Sequence, residues 1–367
     1  MYRLIFINIL SVIICLTLSG TNIRTTGFIH SADREKYSVF FSESYHNYLP
    51  GSLIRIGVNF KNNTSDNLKV SQKLSIADSK GVIVWKTRIN MNLLPNGIVI
   101  VPLLIPVPVS SGIFTLIPGE AVEGENSKQL GFSFTVIQPK KSARLSKILV
   151  HTPDWEDGLN KFLKTWDIKA PTISWGQVLL LGKKSMTKYF AGDREIIQLI
   201  SRSLKREMSV IFLDFGQTDT PNINIPKMSL PYNISVNFTE AKAPEQCIIL
   251  KSDSPEFIFG FTSNIINAWN GLSGVVVPAT DLRFDGNGVK INAYVTTGEN
   301  PFRFPLVELI PKNGKGKVYL SQLITDGRLD ESVRTPRNHP ELPAYDPLAV
   351  QFLLNLISAS VGDNLLK

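Results

Sequence analysis

An acid placed just after a buried strand is the first residue in this sequence whose position could do chemistry. Val210-Ile211-Phe212-Leu213 reads as a short apolar strand and Asp214 follows it, at the strand end where open α/β sheets gather ligands. Glycoside hydrolysis needs two carboxylates flanking a cleft, and Asp281 and Asp326 are less well placed to be the second. An acid at such a site also commonly ties down a loop. His151 follows another apolar strand, Lys147 to Val150, where a pocket can form. The four histidines, His30, His46, His151 and His339, show neither the H-x₃-H nor the H-E-x-x-H spacing of zinc ligands, so no metal is expected. Asp285-Gly286-Asn287-Gly288 lacks the remaining oxygens of a calcium loop and reads as a turn. No G-x-G-x-x-G or Walker A motif is present; Gly182-Lys183-Lys184-Ser185 echoes only the ending of the latter, and no cofactor is expected. Cys247 precedes Ile248, Ile249 and Leu250 and reads as an inert strand thiol. Trp155, Trp175 and Trp269 carry flat faces suited to stacking on pyranose rings, whereas Trp166 reads as core packing.

These residues need a scaffold, and composition bounds it. The chain has 367 residues, 43% of them hydrophobic and 19% charged, which suggests two or three domains at roughly 100–200 residues each. That composition excludes collagen-like, coiled-coil and wholly disordered chains. The net charge of +8 is dispersed along the chain, without aromatics interleaved among the basic residues, and no nucleic-acid partner is expected. Residues 1–20 read as a cleaved export signal: Arg3 is the positive end and Leu4 to Leu18 an apolar run of about fifteen residues, short of the ~20 needed to span a membrane. The protein is therefore expected to be periplasmic or secreted, with no span left after cleavage. A lipoprotein anchor at Cys15 is the disfavoured rival, since no small residue stands just before it. Cleavage leaves Cys247 as the single cysteine, so no disulfide framework is expected.

Residues 21–36 are polar and read as a flexible leader. From 37 to 138 apolar residues alternate: Ile54, Ile56, Val58 and Phe60; Leu68, Val70, Leu74 and Ile76; Phe132, Phe134 and Val136. Period two with turns at Pro50-Gly51, Asp78 to Gly81 and Pro95-Asn96-Gly97 predicts an immunoglobulin-like β-sandwich. Residues 139–147 form a linker. Over 148–367 apolar strands at Gln177–Leu181, Val210–Leu213 and Lys317–Leu320 alternate with helical patterns. Asp154 and Asp193 are the expected caps of two helices, and Asp346-Pro347 opens the last. Strands alternating with helices predict a parallel sheet covered on both faces, with an antiparallel excursion inserted at the Asp285-Gly286-Asn287-Gly288 turn.

Three stretches of this second half, Gln177-Val178-Leu179-Leu180-Leu181-Gly182, Gly316-Lys317-Val318-Tyr319-Leu320-Ser321-Gln322-Leu323 and Tyr345-Asp346-Pro347-Leu348-Ala349, carry a family likeness, and Asn267-Ala268-Trp269-Asn270-Gly271 fits it more loosely. They resemble the class I glutamine-amidotransferase-like domain, a flavodoxin-like α/β fold, in the variant appended to bacterial family 2 glycoside hydrolases and β-galactosidases. The resemblance covers about 148–360. An active amidotransferase needs a cysteine on a strained strand-to-helix turn, but Phe215-Gly216-Gln217 follows the strand and no cysteine is there. His339-Pro340-Glu341 matches the family's tripeptide, yet stands some sixteen residues beyond the place it should occupy and reads as an accidental match. A glycosidase barrel takes about 250 residues, for which the chain has no room. The resemblance therefore implies a degenerate site. The protein is expected to be an exported, non-catalytic binding or accessory protein in extracytoplasmic carbohydrate handling, with a glycan, a glycosidase or a surface complex as partner. The candidate ligand-binding residues are Asp214, Gln217, His151, Trp155, Trp175, Trp269 and His339. The alternatives are a hydrolase using Asp214 or His339, and a structural subunit of a surface complex.

Overall fold

The computed structural model describes residues 36–43, 45–119, 131–171, 176–215, 227–230, 234–240, 244, 247–250, 256–261, 263, 265–271, 275–277, 280–285, 289–295, 304–310, 316–332 and 342–361. Strands dominate them. The first eight are β1 (Tyr37–Ser42), β2 (Asn47–Tyr48), β3 (Leu53–Asn62), β4 (Leu68–Asp78), β5 (Ile83–Leu93), β6 (Ile98–Pro106), β7 (Gly112–Pro118) and β8 (Phe132–Val136). The chain divides into two units, the first comprising residues up to Glu43 together with Gly51–Thr135.

This first unit is a β-sandwich. One sheet runs β1-β3-β6 and the other β8-β7-β4-β5. The period-two pattern decides which side chains meet between them: Ile54, Ile56, Val58 and Phe60 from β3, Val70, Leu74 and Ile76 from β4, and Phe114, Leu116, Phe132 and Phe134 are all buried. Phe134 stacks on Phe114 at 5.8 Å and on Phe132 at 6.0 Å. Gln72 is buried too, and its Oε1 accepts from the Tyr37 hydroxyl at 2.9 Å. β6, which contains Pro102 and Pro106, lies at a sheet edge, where a missing N–H costs no ladder bond.

The second unit comprises Val136–Lys367 and also Ser44–Pro50, a segment that a linear reading assigns to the sandwich. Its elements are β9 (Val150–His151), α1 (Asp157–Thr165), β10 (Val178–Leu181), α2 (Lys183–Phe190), α3 (Arg194–Lys205), β11 (Ser209–Phe212), β12 (Lys227–Leu230), β13 (Ile234–Glu240), β14 (Cys247–Leu250), β15 (Ile265–Asn267), β16 (Thr280–Asp285), β17 (Val289–Val295), β18 (Leu306–Leu309), β19 (Val318–Ser321) and α4 (Pro347–Ser360). An eight-stranded sheet runs β15-β14-β17-β18-β19-β11-β10-β9. Its β9, β10, β11 and β19 are parallel, and Leu149 adds a parallel bridge to Lys169. In chain order the parallel segments thus lie second, first, third, fourth, fifth across the sheet.

The expected parallel sheet is only one half of this sheet, because β18, β17, β14 and β15 continue it antiparallel. Parallel neighbours require a long crossover, usually a helix, and no helix is described between β11 and α4. β12, β13 and β16 form a separate antiparallel sheet. The turn expected at Asp285-Gly286-Asn287-Gly288 lies, from Gly286 to Gly288, outside the described residues, and β16 and β17 on either side of it belong to different sheets.

Helices cover both faces of the parallel part. Alternate residues Leu179, Leu181, Val210, Phe212, Val318 and Leu320 face Met186 of α2 and Ile196, Ile200 and Leu204 of α3 in one cluster. The opposite set, Val178, Leu180, Ile211 and Tyr319, clusters with Leu159, Phe162 and Leu163 of α1 and with α4. Asp193 caps α3 as expected, its Oδ1 accepting from Glu195 N at 2.8 Å. α4 is buried all round except at Ala359, and its polar residues are satisfied. Gln351 bonds the Lys140 backbone in both directions, and the Asn355 amide donates to Phe257 O and Phe259 O. α1 departs from expectation: its cap position is Glu156, not Asp154, and no side chain caps it.

Candidate functional site

The parallel strands end at one edge of the sheet, and the residues just beyond them build the site. After β9, Thr152 donates its hydroxyl to Leu180 O at 2.9 Å, tying this turn to β10. Glu156 then turns its buried carboxylate away from α1 toward the start of α2. Its Oε1 accepts from Gly182 N at 3.2 Å and Ser185 N at 2.6 Å. A helix N-terminus of this kind attracts anions, and here an internal carboxylate already fills it, so the Gly182-Lys183-Lys184-Ser185 stretch does not present its amides to a phosphate. A Cβ at 182 would stand 2.7 Å from Glu156 Oε2 and push that carboxylate aside. Glu156→Ala leaves two buried N–H groups without an acceptor and should lower stability by about 2 kcal/mol. Glu156→Gln, which keeps an acceptor oxygen, should lose less; equal denaturation midpoints for both variants would contradict this.

Asp214 follows β11 with a left-handed φ of 51°, a conformation most side chains avoid and aspartate tolerates. The carboxyl group is fully enclosed. Oδ1 accepts from Thr325 N at 2.6 Å and Asp326 N at 3.2 Å, and Oδ2 from the Thr325 hydroxyl at 2.9 Å. Burial, with the Asp326 carboxylate adding to it, pushes this carboxyl up to about 6 against the pull of those donors. Cys247 is half-buried in β14, separated from β11 in the sheet by β17, β18 and β19, so it is not at this turn.

The turn after β19 carries a residue that sequence reasoning missed. Arg328 is 0% exposed, and its Nε, Nη1 and Nη2 meet no hydrogen-bond acceptor. Its guanidinium carbon lies 5.5 Å from the centre of the Trp269 ring. Burial lowers it to about 10 despite the opposing fields of Asp346, Asp214 and Asp326. Gly327, at φ 72°, shapes the turn and packs where a Cβ would stand 2.6 Å from Pro343. Arg328 O in turn accepts from Asp346 N at 3.0 Å. Asp346 is the hub beneath: Oδ1 caps α4 through Leu348 N and Ala349 N, and Oδ2 accepts from Asn270 N and the Asn47 amide. No composition or spacing signal marks Arg328; only the acid-and-glycine turn Asp326-Gly327 hints that a loop packs there.

The other candidates separate. His151 lines a groove of about 580 Å³ with Asp154, Asn160, Leu163, Lys164 and Asp167. Burial holds its imidazole below the ordinary value, against Asp154. Trp155 is half-buried; its Nε1 donates to the Ser185 hydroxyl at 3.0 Å, and Lys188 Nζ sits 4.6 Å over its ring. Trp269 is 0% exposed and tilts against Phe352 at 6.3 Å, so it offers no open face for stacking; α4 fills the space that a sugar would need. Trp166 packs on Phe162. Trp175, Gln217 and His339 lie outside the described residues. Among the described residues no cluster of metal-binding side chains gathers, and no helix is long and apolar enough to cross a membrane.

No family model matches the chain, and no curated protein matches it. Among solved structures it is similar to a β-glucosidase from Listeria innocua in complex with isofagomine, at 14% identity and a TM-score of 0.22, over 28% of this chain and 16% of that one. It is similar at 16% identity and a TM-score of 0.20 to a CARDB domain from Pyrococcus furiosus solved with di-metal ions, over 28% of this chain and 94% of that one. A third similarity is to the native conformation of an E. coli alpha-2-macroglobulin, at 12% identity and a TM-score of 0.22, over 29% of this chain and 6% of that one. The chain spans about a sixth of the β-glucosidase's length. The sandwich of the first unit rests on its own strand pairing.

Proposed function

We propose that this protein is a non-catalytic binding or accessory module, exported and at work in extracytoplasmic carbohydrate handling, whose second unit is a flavodoxin-like, amidotransferase-related domain without its nucleophile. The strand order second, first, third, fourth, fifth, with helices on both faces, supports the fold assignment. The single observation that carries the functional reading is the state of Asp214. It stands at the left-handed turn after β11, and both of its carboxylate oxygens are engaged by Thr325 and Asp326. A nucleophile must be exposed and next to a base; this group is enclosed and holds a loop. The carbohydrate setting comes from the resemblance of the second half. A groove at the carboxyl end of β9, lined by His151, Asp154, Asn160 and Lys164, gives a ligand room.

Assaying the full chain on aryl glycosides and on glutamine should give no turnover above buffer, while a glycan array should give specific retention. Turnover that disappears in Asp214→Asn would replace this reading with a hydrolase, the one rival that Asp214's elevated pKa and left-handed backbone favour.

A further inference from the structure

We propose that the outer face of the sandwich sheet, where β4 pairs with β5, is a docking surface for an acidic polysaccharide, a chain bearing carboxylate or sulfate groups at intervals. The pairing sets this face. Lys69 lies opposite Asn92, Ser71 opposite Asn90, Lys73 opposite Arg88 and Ser75 opposite Lys86. Val70, Leu74 and Ile76 alternate with them and are buried in the core, so this set points out of the sandwich. Lys69, Ser71, Lys86, Arg88, Asn90 and Asn92 are exposed. Four cations that stand apart in the sequence are thereby gathered on one surface. β4, β5, β7 and β8 contain a single acid, Asp78, and its Oδ1 is engaged by Lys80 N and Val82 N in the turn between β4 and β5. Among the described residues Lys69, Lys86 and Arg88 make no ion pair.

Surfaces that serve solubility intersperse both signs of charge. Here Arg88 faces Lys73 directly, and like charges opposite one another across a ladder are destabilising, so the sheet carries a repulsion that an anion relieves. The arrangement also chooses the kind of anion. Lys69 and Lys73 are four residues apart in one strand, about 13 Å, too far for one small anion to bridge and suited to a polymer with repeated charges. Between them Ser71 donates its hydroxyl to Asn90 Oδ1 at 2.7 Å, and the amides of Asn90 and Asn92 can bond sugar hydroxyls. A shallow groove of about 360 Å³ runs there, lined by Lys69, Val70, Ser71, Asn90, Met91 and Asn92. Trp85 pairs with Ile76 and so belongs to the opposite set, which leaves the cations without the aromatic platforms of single-strand readers. An anionic membrane fits less well, because the exposed apolar residues Val82, Ile83 and Val84 stand at the hairpin tip, away from Lys69 and the groove. The groove after β9 belongs to the second unit, so this inference goes beyond the reading above.

Binding assays on the full chain, with polygalacturonate, dextran sulfate, neutral dextran, monomeric galacturonate, single-stranded DNA and phosphatidylglycerol vesicles as probes, test this. Lys86→Gln combined with Arg88→Gln removes two exposed charges and should leave the melting temperature unchanged or slightly higher. The wild type should hold polygalacturonate or dextran sulfate, lose affinity as salt rises and ignore neutral dextran. The double variant should bind the acidic polymer roughly three- to thirtyfold more weakly. Monomeric galacturonate should bind at least roughly tenfold more weakly than its polymer. If neither acidic polymer binds, the proposal is overturned, and retention of neutral glycans on the array would keep the reading above intact. Equal binding by the double variant and the wild type also overturns it; loss of that binding in Asp154→Ala would move the ligand to the groove after β9. Tighter binding of the DNA or the vesicles than of either polysaccharide would name another class of partner and reject it. So would binding that emerges only when Glu120, Glu123 and Glu125 are replaced by glutamine, since the chain's own acids would then be the occupant.

Discussion

Asp346→Ala should lower the unfolding free energy by about 3–5 kcal/mol, the largest loss expected from any single polar substitution among the described residues. The carboxylate is fully buried and accepts four N–H donors: Leu348 N at 2.8 Å, Ala349 N at 3.2 Å, Asn270 N at 2.7 Å and the Asn47 amide at 2.8 Å. Two of these are orphan donors of the first turn of α4, where loss of a cap alone costs about 1 kcal/mol. The other two fix Asn270 and the segment around Asn47. Burial raises the Asp346 pKa, opposed by the Asn270 and Asn47 donors and by the Arg328 charge, so removing the group also takes away the largest negative field on Arg328. Asp346→Asn keeps an acceptor oxygen for the helix but turns a donor toward Asn270 N or Asn47, and should lose less. Urea denaturation monitored by far-UV circular dichroism checks both; a loss under about 1 kcal/mol for the alanine variant would mean that the hub is not structural.

Asp214 should make the second unit more stable in mild acid than at neutral pH. Its folded pKa of about 6 lies above the ordinary 3.8, so the folded state binds the proton more tightly than the unfolded chain does. The penalty of an ionised buried carboxylate is fully present above about pH 6 and gone below 3.8, amounting to about 3 kcal/mol. Asp214→Asn has no such titration. The stability difference between the two proteins should therefore shift by about 2 kcal/mol in favour of the wild type on going from about pH 7.5 to about pH 4.5. Comparing the pair at each pH cancels every other titrating group. A difference independent of pH would show that the carboxyl titrates normally.

The regular elements were legible because their signals are local. Period-two alternation in Ile54 to Phe60 fixed a sandwich face, and Asp193 and Asp346-Pro347 were readable as caps because a cap speaks to residues two or three positions away. What failed was non-local. Asp154 looked like a cap, but Glu156 was drawn to Gly182 and Ser185, more than twenty-five residues distant. The antiparallel part of the main sheet was legible only as an excursion near Asp285 to Gly288, and its extent was not, because short apolar strands such as Cys247–Leu250 do not announce their direction. Trp269 looked like a sugar platform from composition, and only tertiary packing against Phe352 placed it inside. Arg328 was invisible, since an arginine in a polar turn usually faces water. Asp214 was found for its place after a strand, while its saturation by Thr325, 111 residues away, was not readable.

Asn270 Oδ1 accepts from His46 N and Asn47 N, and its amide returns a bond to Asn47 O. The short piece carrying those atoms is encoded between two strands of the sandwich, yet it serves the other half. Genetic exchange at a single junction near residue 139 would therefore hand down a second half that has lost a part it was built around. Any graft of a foreign sandwich onto this protein has to carry residues 44–50 across with it, and a lineage that shuffled these halves would leave that loop as its scar.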